Sequence, residues 1–157
     1  MNVLCVDPGP WETGWAAINT KNGLKGAPGG SGIDRNEDFA NFLKLSPSLQ
    51  AVVCEMPQAY KTVGQDVINT AFWAGEYRRI CKDRGIPFHE ITRNEVRHIM
   101  CGVTSGVNDK HVNEAVAYHY GVETRKGQWT GFLKGITSHS KAALAAGVAW
   151  MKHTGVK

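Results

Sequence analysis

The stretch VLCVDPGPWETGWAAI, residues 3 to 18, decides how this chain is read. An apolar run carries one carboxylate, Asp7, straight into Pro8-Gly9-Pro10, and the chain returns through Thr13-Gly14 to a second apolar run. Proline fixes φ and glycine opens conformations closed to other residues, so the middle of the stretch is a turn joining two strands. Turn chemistry accounts for the prolines and glycines but leaves the aspartate unexplained.

Working outward, residues 13 to 18 read as the second strand and residues 21 to 27 (KNGLKGA) as a third. Residues 28 to 36 (PGGSGIDRN) read as a loop by composition, and DFANFLKL as a short amphipathic helix. LQAVVCE is a compact apolar strand ending in Glu55, followed by the loop MPQAYKTVG. QDVINTAFWAGEYRRICKDR is a helix of about five turns. Its apolar residues spread beyond a narrow stripe, so it is expected to bury two faces, the second against another subunit or under the C-terminal helix. PFHEI is a short strand, and RNEVRHIMCG and NDKHVNEAVAYHYG are helices ending in glycine, the latter capped by Asn108. GVETRKGQWTGFLKG reads as a basic loop and SHSKAALAAGVAWMKH as a final helix. With no internal repeat or linker, residues 1–157 are expected to form one α/β domain, a mixed β-sheet flanked by helices.

A chain of 157 residues buries a core without covalent staples. Cys5, Cys54, Cys81 and Cys101 are widely spaced, two of them within apolar strand-like runs, which suits free thiols in a reducing cytoplasm. His111 and His119 lack cysteine partners at zinc spacing, so structural zinc is not expected. The N-terminus opens on a strand pattern rather than a signal-like segment, and no run approaches bilayer length; the expectation is a cytoplasmic protein with no membrane contact. Eighteen Lys and Arg against fourteen Asp and Glu give a net charge of +4, compatible with a polyanionic partner and not diagnostic of one.

Asp7 and Glu55 each end an otherwise apolar strand. If those strands are neighbours, two carboxylates leave the sheet at one edge, where α/β proteins place their ligand sites. A lone acid at a strand end is usually a turn or cap residue; a pair is less easily dismissed. Two carboxylates held close together do not both stay ionised without a compensating cation, and magnesium or manganese suits oxygen donors.

The run VDPGPWETGWA (6 to 16), the strand ending in Glu55, GVTSGVNDKHV (102 to 112) and a final helix opening at His139 together resemble the RuvC family of Holliday junction resolvases, in order and spacing over nearly the whole chain. The small size and loop departures resemble its phage-encoded branch. The resemblance implies a ribonuclease H-like fold and a homodimer. It implies an endonuclease that nicks opposing strands of a four-way DNA junction, with two Mg2+ or Mn2+ ions per site and no small-molecule cofactor, in the bacterial host cytoplasm if phage-encoded. It carries over Asp7 and Glu55 as metal-binding carboxylates and Lys110 as a lysine beside the scissile phosphate. His139 becomes a further metal ligand. The family's last helix carries an Asp three residues beyond that His, on the same helix face. Here the position is Ala142, within SHSKAALA, and alanine has no donor atom. Three accounts stay open: an Asp-to-Ala truncation made to trap the uncleaved state, which the intact surroundings favour; a natural loss of activity; or a different register of the helix.

DNA contacts are expected from Lys61, Arg93, Arg97, Lys110, His111, Arg125, Lys126, Lys134 and Lys141, which fall in loops or helix starts, although any one of them is more often a solvated surface charge. Tyr60, Trp129 and Phe132 are candidates for stacking on unpaired bases, or else core lids, and Trp11 follows Asp7 in the turn. Two rival functions remain. One is a non-catalytic protein that binds branched DNA. The other is an actin-like phosphate-binding domain, which the opening motif also resembles, but the chain lacks a second Asp-Gly phosphate loop.

Overall fold

In a computed structural model, residues 1–20, 28–59 and 63–156 are described. The expected strand over 21–27, and the candidates Tyr60 and Lys61, lie outside those residues. The opening motif folds into β1 (Asn2–Pro8) and β2 (Glu12–Asn19), which pair antiparallel so that Asp7 faces Gly14. β3 (Gly30–Arg35) joins β2, while β4 (Ala51–Met56) and β5 (Phe88–Thr92) add in parallel on the other side of β1. The sheet order is β3-β2-β1-β4-β5, so β1 and β4 are adjacent in its middle.

Strand alternation splits the core in two. Leu4, Val6 and Val52 face α1 (Asn36–Leu45) and α2 (Gln65–Asp83), meeting Phe39, Leu43, Tyr77 and Ile80. Val3, Cys5, Ala16, Ile18, Ala51 and Val53 face the opposite layer, α3 (Arg93–Cys101), α4 (Asp109–Tyr120) and α5 (Ser138–Thr154). Asp7 continues the row Val3, Cys5; Glu55 continues Ala51, Val53. The period of two therefore aims both carboxylates at the α5 layer.

Three expectations need correction. Residues 28–36 contain β3 rather than only loop: the run GSGIDR has little strand propensity, but edge pairing with β2 supplies its backbone partners, and Gly32 makes room for the Trp15 ring. The stretch 121–135 is not plain loop either, since Thr124–Arg125 and Gln128–Trp129 pair as a short hairpin, β6 and β7. Finally, the C-terminal helix does not cover a second face of α2: within the chain α2 buries one face, through Ala74, Tyr77, Ile80 and Cys81, and leaves Ile68 and Phe72 exposed. α5 does not cover that outer face because it lies across the sheet from α2. Among the described residues no helix is long and apolar enough to cross a membrane.

Candidate active site

β1 and β4 run parallel in a register that pairs Val6 with Cys54, so the next step brings Asp7 beside Glu55 at the carboxyl ends of both strands. Both are buried, at 8% exposure each. They form the floor of an open cleft of about 480 Å³, whose walls come from Arg93, Arg97, Asp109, His139, Lys141 and Ala142 among others.

α5 supplies one wall, and the packing of its first turn explains Thr13-Gly14. A Cβ on Gly14 would fall 2.3 Å from the His139 carbonyl carbon, so only glycine lets the helix start rest on β2 directly opposite Asp7. Ser140 Oγ donates to the Gly32 carbonyl at 2.7 Å, tying the same turn to β3. Ser138 sits at φ 46°, in the left-handed region, which costs about 1–2 kcal/mol for an L-residue. His139 is thereby delivered to Asp7, its Nδ1 lying 2.7 Å from Oδ2. The hydrogen bond to Asp7 raises the imidazole's pKa above its ordinary value.

The turn after Asp7 is held from below. Thr13 Oγ1 donates to Asn36 Oδ1 at 2.6 Å, the Tyr77 hydroxyl lies 2.7 Å from Thr13 Oγ1, and Asn36 Nδ2 donates to the Gly9 carbonyl at 3.0 Å. All three side chains are buried. A satisfied buried network of this kind fixes one backbone course where Pro and Gly alone would allow several.

Glu55 meets a different cation. Arg93 Nε donates to Glu55 Oε1 at 2.9 Å, Arg93 Nη1 lies 3.9 Å from Asp109 Oδ2, and Arg97 Nη2 lies 3.6 Å from Asp109 Oδ1. Burial, followed by the charge of Asp7, pushes Glu55 up to about 7 against the pull of Arg93. Two buried acids side by side, one of them held high, make a site short of positive charge. Among the described residues no three His, Cys, Asp or Glu side chains form a ready cage for an ion. Magnesium does not demand one, since one or two carboxylates, waters and a substrate phosphate normally hold it. Asp7 and Glu55 fit that donor set.

Of the candidates, the cleft gathers Asp7, Glu55, Arg93, Arg97, Lys141, His139 and Ala142. Lys110 opens α4 with its side chain exposed and its Nζ 4.0 Å from Glu114, and it does not line the cleft. His111 caps the same helix, its Nδ1 accepting from the Asn108 backbone N–H. Arg125, Lys126 and Lys134 are exposed outside the cleft, and Phe132 is partly exposed against Tyr120. Trp11 is 72% exposed and lines a separate hollow with Arg35 and Phe72. Trp129 is a correction: it is a core residue, 3% exposed, with Nε1 donating to the Asn113 carbonyl at 2.8 Å, so its ring has no face for a base. Lys141 Nζ lies 4.9 Å from its centroid instead. Asp109 was legible only as part of the NDK run, and nothing in sequence spacing brings it toward Glu55.

Two solved structures share this architecture. Thermus thermophilus RuvC in complex with Holliday junction substrate superposes with a TM-score of 0.74 at 17% identity, covering 98% of this chain and 94% of that one. The chain has the ribonuclease H-like fold of RuvC. Thermus thermophilus RuvC in a second structure gives a TM-score of 0.71 at 16% identity, over 99% and 98% of the two chains. No family model and no curated protein matches the sequence. The RuvC-like sheet accounts for the position of the cleft, because its two central parallel strands end where the carboxylates stand.

Proposed function

We propose that this protein binds four-way DNA junctions and descends from, or is a variant of, a metal-dependent endonuclease that nicks them symmetrically. The observation that carries the reading is the pair of buried carboxylates, Asp7 and Glu55, at the ends of adjacent strands with His139 on Asp7. In this reading Asp7 and Glu55 hold a magnesium or manganese ion, with His139 at a second. Such ions, when bound, activate a water and stabilise the leaving 3′ oxygen of a phosphodiester. The chain's own residues do the rest. Asp7 and Glu55 set the floor against which a phosphate is aligned, and Arg93, Arg97 and Lys141 bring cationic groups to the DNA backbone. His139 orients Asp7 through Nδ1. Lys110, Lys126 and Lys134 add phosphate contacts farther out. Such contacts give affinity that falls steeply with salt and reads no base sequence.

Ala142 lines the cleft with a methyl group where this reading calls for a carboxylate. A loss of about 4 kcal/mol from one missing ligand is roughly a thousandfold in rate. The chain is therefore expected to bind a junction and cut it poorly. A homodimer suits the near two-fold symmetry of a junction, and the exposed Ile68 and Phe72 on α2 offer it an apolar face. Sedimentation well above the junction-binding concentration checks this, with a monomer counting against it.

A second reading, a binding protein without catalysis, is favoured by the same Ala142 and by the side chains already paired with both acids, Arg93 with Glu55 and His139 with Asp7. One experiment separates the two. Ala142→Asp is assayed on a synthetic four-way junction with magnesium. Symmetric nicks that vanish on adding Asp7→Asn support the nuclease; junction binding with no nick in Ala142→Asp supports the binder and sinks the nuclease.

A further inference from the structure

Arg93 is the cleft guanidinium that contacts the floor carboxylate Glu55. It opens α3, a helix whose first turn is fixed by the reciprocal Thr92 and Glu95 cap. Its guanidinium spans the cleft from floor to rim, with Nε on Glu55 Oε1 at 2.9 Å and Nη1 3.9 Å from Asp109 Oδ2. The Glu55 side chain is 9% exposed, whereas those of Arg93 and Asp109 are 41% and 65% exposed. The inner end of this chain of charges is thus nearly dry and the outer end wet.

A carboxylate this far out of water, beside a second one, needs a positive partner. Arg93 supplies a single charge at an oxygen that a divalent ion would otherwise take. Asp109 gives the guanidinium an alternative partner at the rim, and a phosphate would match its fork bidentately. Resting on the metal-dependent reading above, we propose that Arg93 is a positioning residue that acts through Glu55. It keeps Glu55 closed to divalent ions in the free protein and turns outward to Asp109 and a DNA phosphate when a junction enters. Metal binding and DNA binding are then coupled, each strengthening the other.

The test measures manganese binding by electron paramagnetic resonance and calorimetry in the parent, Arg93→Gln, Arg93→Lys and Arg97→Gln, with and without an uncut four-way junction. Arg97→Gln removes the same charge from the same cleft without touching Glu55. Without DNA, Arg93→Gln is expected to bind manganese at least tenfold more tightly than the parent, Arg93→Lys severalfold, and Arg97→Gln less than threefold. Junction is expected to tighten the parent's manganese binding at least tenfold and that of Arg93→Gln much less. Equal manganese affinity in the parent and Arg93→Gln overturns the proposal, as does an equal gain in Arg97→Gln. Should Arg93→Gln fail to fold, Arg93→Lys decides alone, and an unchanged affinity there overturns the proposal. If no variant and not the parent binds manganese at millimolar concentration while all bind junction, the metal-dependent reading fails together with it.

Discussion

Gly14→Ala tests whether close packing of α5 on β2 is what builds the site. The added Cβ would sit 2.3 Å from the His139 carbonyl carbon and 2.4 Å from its Cβ, where ordinary contact begins at 3.4 Å. The helix start must therefore retreat by 3.4 − 2.3 = 1.1 Å. It cannot do so by a rotamer change, because the clashing atoms include backbone, and Ser140 ties the same turn to Gly32. Overpacking of this kind costs about 1–3 kcal/mol. In a chain of this size each kcal/mol lowers Tm by about 2–4 °C. The same retreat stretches the 2.7 Å contact between His139 and Asp7 to as much as 2.7 + 1.1 = 3.8 Å, beyond hydrogen bonding.

Two measurements follow the two consequences. Thermal unfolding reads the packing cost, and an NMR titration of His139 reads the hydrogen bond, whose loss returns the imidazole toward its ordinary value near 6.5. Gly75→Ala is the control: it lies within α2 with open space around its Cβ position, and a helical Gly to Ala change stabilises by about 0.5–1 kcal/mol. A Gly14→Ala protein that melts with the parent and keeps a raised His139 titration would refute the packing argument.

Tyr77→Phe removes the hydroxyl that lies 2.7 Å from Thr13 Oγ1 and 3.2 Å from Asn36 Oδ1; urea unfolding should show a loss of about 1–3 kcal/mol, and no loss would mean the network under the turn is idle. In metal-free buffer, stability should fall as pH rises from 4.5 toward 7 and beyond. Glu55 is raised to about 7, so its protonated form contributes stability that is lost across that window, on the order of 3 kcal/mol, and Glu55→Gln should flatten the curve there. His139 acts in the same direction. Its raised pKa contributes stability fully present below 6.5 and lost as pH climbs through the folded value, a slope that Asp7→Asn should remove. Trp129→Phe keeps a core aromatic and loses one hydrogen bond, so it should cost about 1 kcal/mol by urea unfolding and leave junction affinity in a gel-shift assay unchanged; a large loss of affinity would restore the stacking role.

How far the sequence carries differs between the sheet and the helix above it. The period of two runs unbroken through Val3, Cys5 and Asp7 and through Ala51, Val53 and Glu55, and parallel pairing of β1 with β4 is all that is needed to bring the two acids together. Local pattern therefore reaches the floor of the cleft. β3 escaped because its partner, not its own GSGIDR, makes it a strand. The outer face of α2 shows a related limit: apolar residues spread around a helix do not say what covers them, and within one chain Ile68 and Phe72 are exposed, so that only the cover by α5 is overturned.

The walls obey a different logic. His139, Arg93 and Asp109 come from three helices separated by long stretches of chain, and their meeting depends on how α3, α4 and α5 dock, which no spacing encodes. The docking has its own small signals, glycines where two backbones touch. Gly14 lies beneath His139, and a Cβ at Gly147 would fall 2.1 Å from Cys5 Sγ, so α5 has a glycine contact with the sheet at its start and another at its middle. Two such contacts fix both the height and the rotation of a helix over a sheet, and rotation is what decides which residues of SHSKAALA face the acids. His139 and Ala142, three apart, both line the cleft as that geometry requires. A carboxylate at 142 would enter the same space as Asp7 and Glu55, because the helix already presents position 142 to the cleft.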